Sequence, residues 1–422
     1  MDFLSGGHKV TRNKTSLALI FVLSLVAISP CLAISIEDQQ DPKYCIVDTG
    51  QEKCYDNSRE IREPSRDGPF YGQDAQNKGN KPSYRDNGDG TVTDLNTGLM
   101  WVRERGKKVT WKDAISGAPA CRIGGYTDWR MPTIKELYSL INFTGRQART
   151  ESESVPYIDT KYFGFKYGSG TGNERLIDCQ DWSATEYLST TMNNDASVFG
   201  VNFADGRIKG YPKQVRRREG AGDNRLYARY VRGNPEYGKN DFIDNGDGTV
   251  ADRATGLVWS KGDSGTGMNW EQALKWVQKK NTEKYLGHDD WRLPNAKELQ
   301  SIVDYSRCPD RTDSPSIAPV FECTQIKNEK GDRDYPFYWT GTTHLDNMGA
   351  VYVCFGRAMG FMEMPPGSGN YRCVDVHGAG AQRSDPKAGN PADFPKGRGP
   401  QGDVVRINNF VRLVRSGNKK IK

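Results

Sequence analysis

The chain writes one pattern twice, and this repetition limits its architecture more than any single residue does. Asp86-Asn87-Gly88-Asp89-Gly90-Thr91-Val92, then Asp94 and Thr97-Gly98-Leu99-Met100-Trp101, returns as Asp244-Asn245-Gly246-Asp247-Gly248-Thr249-Val250, then Asp252 and Thr255-Gly256-Leu257-Val258-Trp259. Asp128-Trp129-Arg130-Met131-Pro132 with Glu136-Leu137 returns as Asp290-Trp291-Arg292-Leu293-Pro294 with Glu298-Leu299. Trp182-Ser183-Ala184-Thr185 is answered by Trp339-Thr340-Gly341-Thr342, and Val231-Arg232-Gly233 by Val414-Arg415-Ser416. Of the 9 tryptophans only Trp276 lacks a counterpart. A unit this long is a tandem domain, not a solenoid repeat, whose units run about 20–50 residues. Two copies of one module point to binding at two places more readily than to one catalytic centre.

The first residues read as an export signal. Lys9, Arg12 and Lys14 precede the apolar run from Ser16 to Ile28, and Cys31-Leu32-Ala33 approaches a cleavage site. The expectation is a signal peptide over 1–33, because the run falls short of the ~20 residues a span needs. Lipidation at Cys31 is disfavoured by Pro30 directly before it. No later segment is long and apolar enough to span, so the mature chain is expected to be exported: periplasmic, cell-surface or secreted. The whole chain carries +6. Its leader holds three of those cations against Asp2, which leaves about +4, too mild to imply nucleic acid.

Eight cysteines remain past residue 33: Cys45, Cys54, Cys121, Cys179, Cys308, Cys323, Cys354 and Cys373. An even number in an exported chain predicts disulfides. Local closure would join Cys45 with Cys54, Cys121 with Cys179, Cys308 with Cys323, and Cys354 with Cys373. They do not recur between modules as the tryptophans do, which marks them as staples added to a shared core.

A polar extension over 34–83 leads into a first module at 84–233, and the Gly/Pro cluster near 233–238 separates it from a second at 240–416. Each module opens with a hairpin around Asn-Gly-Asp-Gly. Helices are predicted from Thr110 and Asn269, and again from Thr133 and Asn295, where Glu136 and Glu298 complete capping boxes. Alternating strands follow, such as 197–203 and 350–355. The fold class expected is α+β, each module having two helices and a twisted antiparallel sheet.

These residues resemble a known family. The string Asn-Gly-Asp-Gly-Thr-Val-x-Asp, Thr-Gly-Leu-x-Trp and Asp-Trp-Arg-[Met/Leu]-Pro-x-x-x-Glu-Leu is similar to the C-terminal domain of the Legionella collagen-like adhesin, the Lcl C-terminal domain. The late portion of each module is similar to the C-type-lectin-like fold, so the resemblance implies two tandem C-type-lectin-like modules. It also implies adhesion through sulfated glycosaminoglycans. The chain has no collagen stalk, so the family's trimer does not carry over. It also lacks the Glu-Pro-Asn, Gln-Pro-Asp and Trp-Asn-Asp motifs of calcium-dependent sugar binding.

Candidate sites then follow from residue chemistry. The basic run Arg207, Lys209, Lys213, Arg216, Arg217 and Arg218 suits sulfate or carboxylate groups of an acidic polysaccharide. The acidic loops offer Asp86, Asp89 and Asp94, and Asp244, Asp247 and Asp252, as oxygen ligands for calcium, the one cofactor considered. A tight hairpin accounts for the same Gly and Asn residues. The tryptophans are expected in the core, with Asp128-Trp129-Arg130 and Asp290-Trp291-Arg292 as buried structural pairs. Catalysis has no support, since His288, His344 and His377 stand in no nucleophile–base pattern. The expected activity is non-enzymatic binding of an extracellular or envelope polysaccharide, the alternative being a structural or protein-interaction module.

Overall fold

Strand dominates. In the computed structural model, which describes residues 42–172, 174–217, 220–345 and 348–417, strands account for 30% and helices for 14%. The first repeat supplies β1 (Tyr84–Asp86), β2 (Thr91–Asp94) and β3 (Leu99–Val102), then α1 (Trp111–Gly117) and α2 (Ile134–Ser139). Long strands β4 (Asp181–Thr191), β5 (Asp195–Asn202) and β6 (Arg207–Pro212) follow, then the ribbon β7 (Gln214–Arg217) and β8 (Gly220–Asp223), and β9 (Val231–Gly233). The second repeat supplies β10 (Phe242–Asp244), β11 (Thr249–Asp252), β12 (Leu257–Ser260), α3 (Trp270–Thr282) and α4 (Ala296–Ser301). Then come β13 (Phe337–His344), β14 (Gly349–Cys354), the ribbon β15 (Met359–Glu363) and β16 (Tyr371–Asp375), β17 (Gln382–Asp385) and β18 (Val414–Ser416). The leader call and Arg218 lie outside the described residues.

Each repeat folds its opening hairpin and closing strand into a four-stranded sheet, ordered β9-β3-β2-β1 in the first and β10-β11-β12-β18 in the second. The hairpin turns need Gly88 and Gly90 at φ +79° and +85°, a region closed to most side chains. Asn87 closes the turn through Nδ2 to Thr91 Oγ1 at 2.9 Å, and Asn245 does so to Thr249 Oγ1 at 2.8 Å.

The remaining long strands form one sheet shared by both repeats, ordered β13-β14-β17-β6-β5-β4. The two halves meet at the antiparallel pairing of Ile208 on β6 with Gln382 on β17. One core cluster runs across this seam, with Val92, Trp101, Phe199 and Ile208 from the first repeat and Ala254, Ala296, Val351 and Ala379 from the second. By its contacts the chain divides after Gln39, and all described residues belong to the second unit, Gln40–Lys422.

The expected architecture, two C-type-lectin-like modules each built on two helices and a sheet, is therefore corrected: the molecule is mainly β, with short helices. The caps form where the sequence placed them, with Thr110 Oγ1 accepting from Asp113 N and complete capping boxes at Thr133–Glu136 and Asn295–Glu298. A cap starts a helix but does not lengthen it. α1 stops after 7 residues at Gly117, with Pro119 just beyond. α2 and α4 have 6 residues each and are buried nearly all round, so they plug the core and present no amphipathic face to a sheet.

α2 and α4 also meet each other, and they exchange lysines. Lys135 Nζ donates to Ser301 O at 2.6 Å, and Lys297 Nζ donates to Ser139 O at 2.9 Å. Each cation thus reaches the C-terminal carbonyls of the other repeat's helix, where the helix dipole favours positive charge. Burial pushes both ammonium groups down to about 8.

The predicted disulfides are not formed; all eight described cysteines are free thiols. Cys354 is fully buried in β14, whereas Cys373 lies on the separate β15–β16 ribbon opposite Phe361. Burial pushes Cys179 and Cys323 up to about 12 and holds them as neutral thiols. The extension before residue 84 is held by other means. Gln51 pairs with the backbone of Thr343 like a strand, donating to its carbonyl and accepting from its N–H, both at 2.8 Å. Asp74 accepts from Thr49 Oγ1 at 2.7 Å and from Thr342 Oγ1 at 2.6 Å.

Candidate functional site

Within the basic run, Arg207 and Lys209 share one surface and Lys213 does not. β6 alternates, so Ile208 enters the core while Arg207 and Lys209 share the opposite face. Both reach Asp205 Oδ2, at 3.4 and 3.2 Å, and both line a cavity of about 260 Å³ at the seam between repeats. Burial pushes the Lys209 ammonium down to about 7, against the pull of Asp205. Lys213 turns elsewhere: Nζ pairs with Glu186 Oε2 at 2.6 Å and lies 4.0 Å above the Trp111 ring. Arg216 and Arg217 occupy β7, where their cross-strand neighbours are Ala221 and Gly220.

The flanking arginines do structural work. Arg232 Nε holds Asp128 Oδ1 at 2.6 Å with its guanidinium 3.9 Å over Tyr126. Arg229 is wholly buried, and it donates to the carbonyls of Val102 at 2.9 Å and Gly164 at 2.7 Å. Its counterpart Arg412 serves Ser260 O at 2.9 Å and Glu322 O at 2.6 Å in the same way. Aligning Tyr227 to Arg232 with Phe410 to Arg415 pairs these two arginines, and that register was the one available signal for them.

The Trp-Arg segments are corrected in one respect. Arg130 and Arg292 do not pair with the aspartates two residues before them. They fork onto the capping-box glutamates, Arg292 Nη1 and Nη2 reaching Glu298 at 2.6 and 2.7 Å, and Arg130 Nη1 reaching Glu136 at 2.7 Å. Asp128 and Asp290 hold Arg232 and Arg415 instead. The tryptophans pack inside, with Trp101, Trp182, Trp259 and Trp339 fully buried. Their ring N–H bonds repeat as well: Trp182 donates to Val109 O and Trp339 to Met268 O, Trp111 to Ser183 O and Trp270 to Thr340 O.

The six loop aspartates each have a local partner. Asp86 and Asp244 accept from Gly88 N and Gly246 N at 3.0 Å and pair with Arg103 and Lys261. Asp89 and Asp247 accept from the backbone and hydroxyl of Thr91 and Thr249. Asp94 and Asp252 are buried in the turn that follows, accepting from Asn96 N and Ala254 N. Among the described residues no group of three or more His, Cys, Asp or Glu is placed to hold a metal ion. Nor is any described helix long and apolar enough to cross a membrane.

No curated protein and no solved structure matches the chain. The Lcl C-terminal domain matches twice in tandem, over residues 90–232 and 248–375, together more than half of the sequence. The chain belongs to the Lcl C-terminal domain family, an adhesin-like family, and carries its domain in two copies fused through one sheet.

Proposed function

We propose that this is an exported, non-enzymatic binding protein of the cell envelope or surface that holds acidic, sulfated polysaccharide. The observation that supports the reading best is the β7–β8 ribbon, which places the consecutive Arg216 and Arg217 in register with Ala221 and Gly220. Guanidinium groups suit sulfate and carboxylate through paired N–H donors, and contacts of this kind weaken with salt. Several weak contacts along one chain molecule add to a useful avidity. Retention of residues 34–422 on immobilised heparin at two salt concentrations tests this. Retention should fall with salt and fall further in Arg216→Ala/Arg217→Ala. Retention that ignores both would sink the proposal.

A second reading has its own observation. An apolar groove of about 550 Å³ on the second repeat, lined by Phe337, Phe361, Phe394, Phe410 and Pro336, suits a protein partner. Heparin silence together with a crosslinked partner lost on Phe361→Asp would favour it.

A further inference from the structure

The cavity at the seam carries more than the two basic residues that led to it. Arg175, Arg207 and Lys209 come from the first repeat and Arg383 and Arg398 from the second, five cations against the carboxylates of Asp205, Asp385 and Asp403. Those carboxylates are already committed, Asp205 to Arg207 and Lys209. Asp385 Oδ2 accepts from the backbone of Arg406 and Ile407, both at 3.0 Å. Asp403 accepts from His377 Nε2 at 2.8 Å and from Arg383 Nη2.

Arg383 is committed only in part. Its side chain is 10% exposed, yet Nε and Nη1 donate to no protein atom. Burying a charged donor without a partner is costly, and two on one guanidinium more so. These unmet N–H groups belong to a side chain that lines a small cavity whose lining has a surplus of positive charge.

We infer that the seam cavity is a binding site for one small oxyanion ligand, a carboxylate or sulfate of monosaccharide size or below, held by Arg383 with Lys209 and Arg207. At about 260 Å³ it lies just under the roughly 300–1,000 Å³ of ordinary small-molecule pockets, a size that suits one small ligand. The site exists only where the repeats join, because its cations come from both. It is separate from the β7–β8 ribbon and does not rest on the polysaccharide reading.

The test uses sodium sulfate and sodium glucuronate as probes, against sodium chloride of equal ionic strength, on residues 34–422. Calorimetric titration and thermal unfolding should both report millimolar binding of at least one probe, and the two arms tell a tetrahedral from a planar oxyanion. Arg383→Gln should weaken it at least tenfold, about 1.4 kcal/mol, and Lys209→Met should weaken it too if Arg383→Gln fails to fold. Neither change should alter heparin retention, whereas Arg216→Ala/Arg217→Ala should reduce retention and leave probe binding intact. No heat and no thermal shift with either probe overturns the inference, as does binding that survives both pocket substitutions.

Discussion

Asp74→Asn should change the pH dependence of stability in a direction set by the burial of its carboxyl. Asp74 is buried against β13, where its side chain accepts from the hydroxyls of Thr49 and Thr342. Burial outweighs those bonds and raises its carboxyl from 3.8 to about 7. A raised folded pKa means the fold prefers the protonated form. The stability Asp74 contributes is thus fully present below pH 3.8 and is lost as pH rises through about 7. Each unit is about 1.4 kcal/mol, so between pH 5 and pH 8 the wild type should lose about 3 kcal/mol that an asparagine, which cannot ionise, would keep. Urea unfolding of both proteins at pH 5, 6.5 and 8 reads the difference directly. The free-energy gap between them should move in favour of Asp74→Asn as pH rises. Parallel curves over that range would refute the burial argument.

Two further outcomes follow from the core. Arg229→Met and Arg412→Met should each lower the urea midpoint by the equivalent of about 3–5 kcal/mol, because each strands several buried carbonyls; a loss under ~1 kcal/mol in either would show the site solvated. Because one core cluster and one sheet cross the seam, scanning calorimetry should show a single unfolding endotherm for the described unit. Two resolved endotherms would mean the repeats fold separately.

What could be read from the sequence was local. Asn87 and Asn245 close their turns within four residues, and Thr133 and Asn295 cap helices through a glutamate three residues on, so short-range chemistry fixes them. The tryptophans were recognisable as core because they recur among Leu, Val and Pro. Long-range pairing was not legible. Nothing near Ile208 announces that it meets Gln382, and no local pattern distinguishes the buried Arg229 from the ribbon's Arg216. The basic run looked continuous because charge was counted along the chain, while a strand sends alternate residues to opposite faces and Lys213 leaves the strand altogether. The cysteines misled for a related reason. Even number and spacing suggested staples, but Gln51 and Asp74 hold the extension through polar contacts that leave no comparable signature.

The lysine exchange between α2 and α4 has a consequence for how this molecule differs from a homodimer. Contacts made reciprocally, Lys135 to Ser301 and Lys297 to Ser139, are those of an isologous interface, in which each surface meets its own copy. Two separate chains meeting this way must keep both halves identical, and must hold together at cellular concentration. A covalent link removes both conditions. It raises the effective concentration of one half for the other to the millimolar range, so a modest interface suffices. It also lets the halves drift apart in sequence, so that the first repeat alone carries the arginine ribbon while the second supplies Arg383 and Asp403 across the junction.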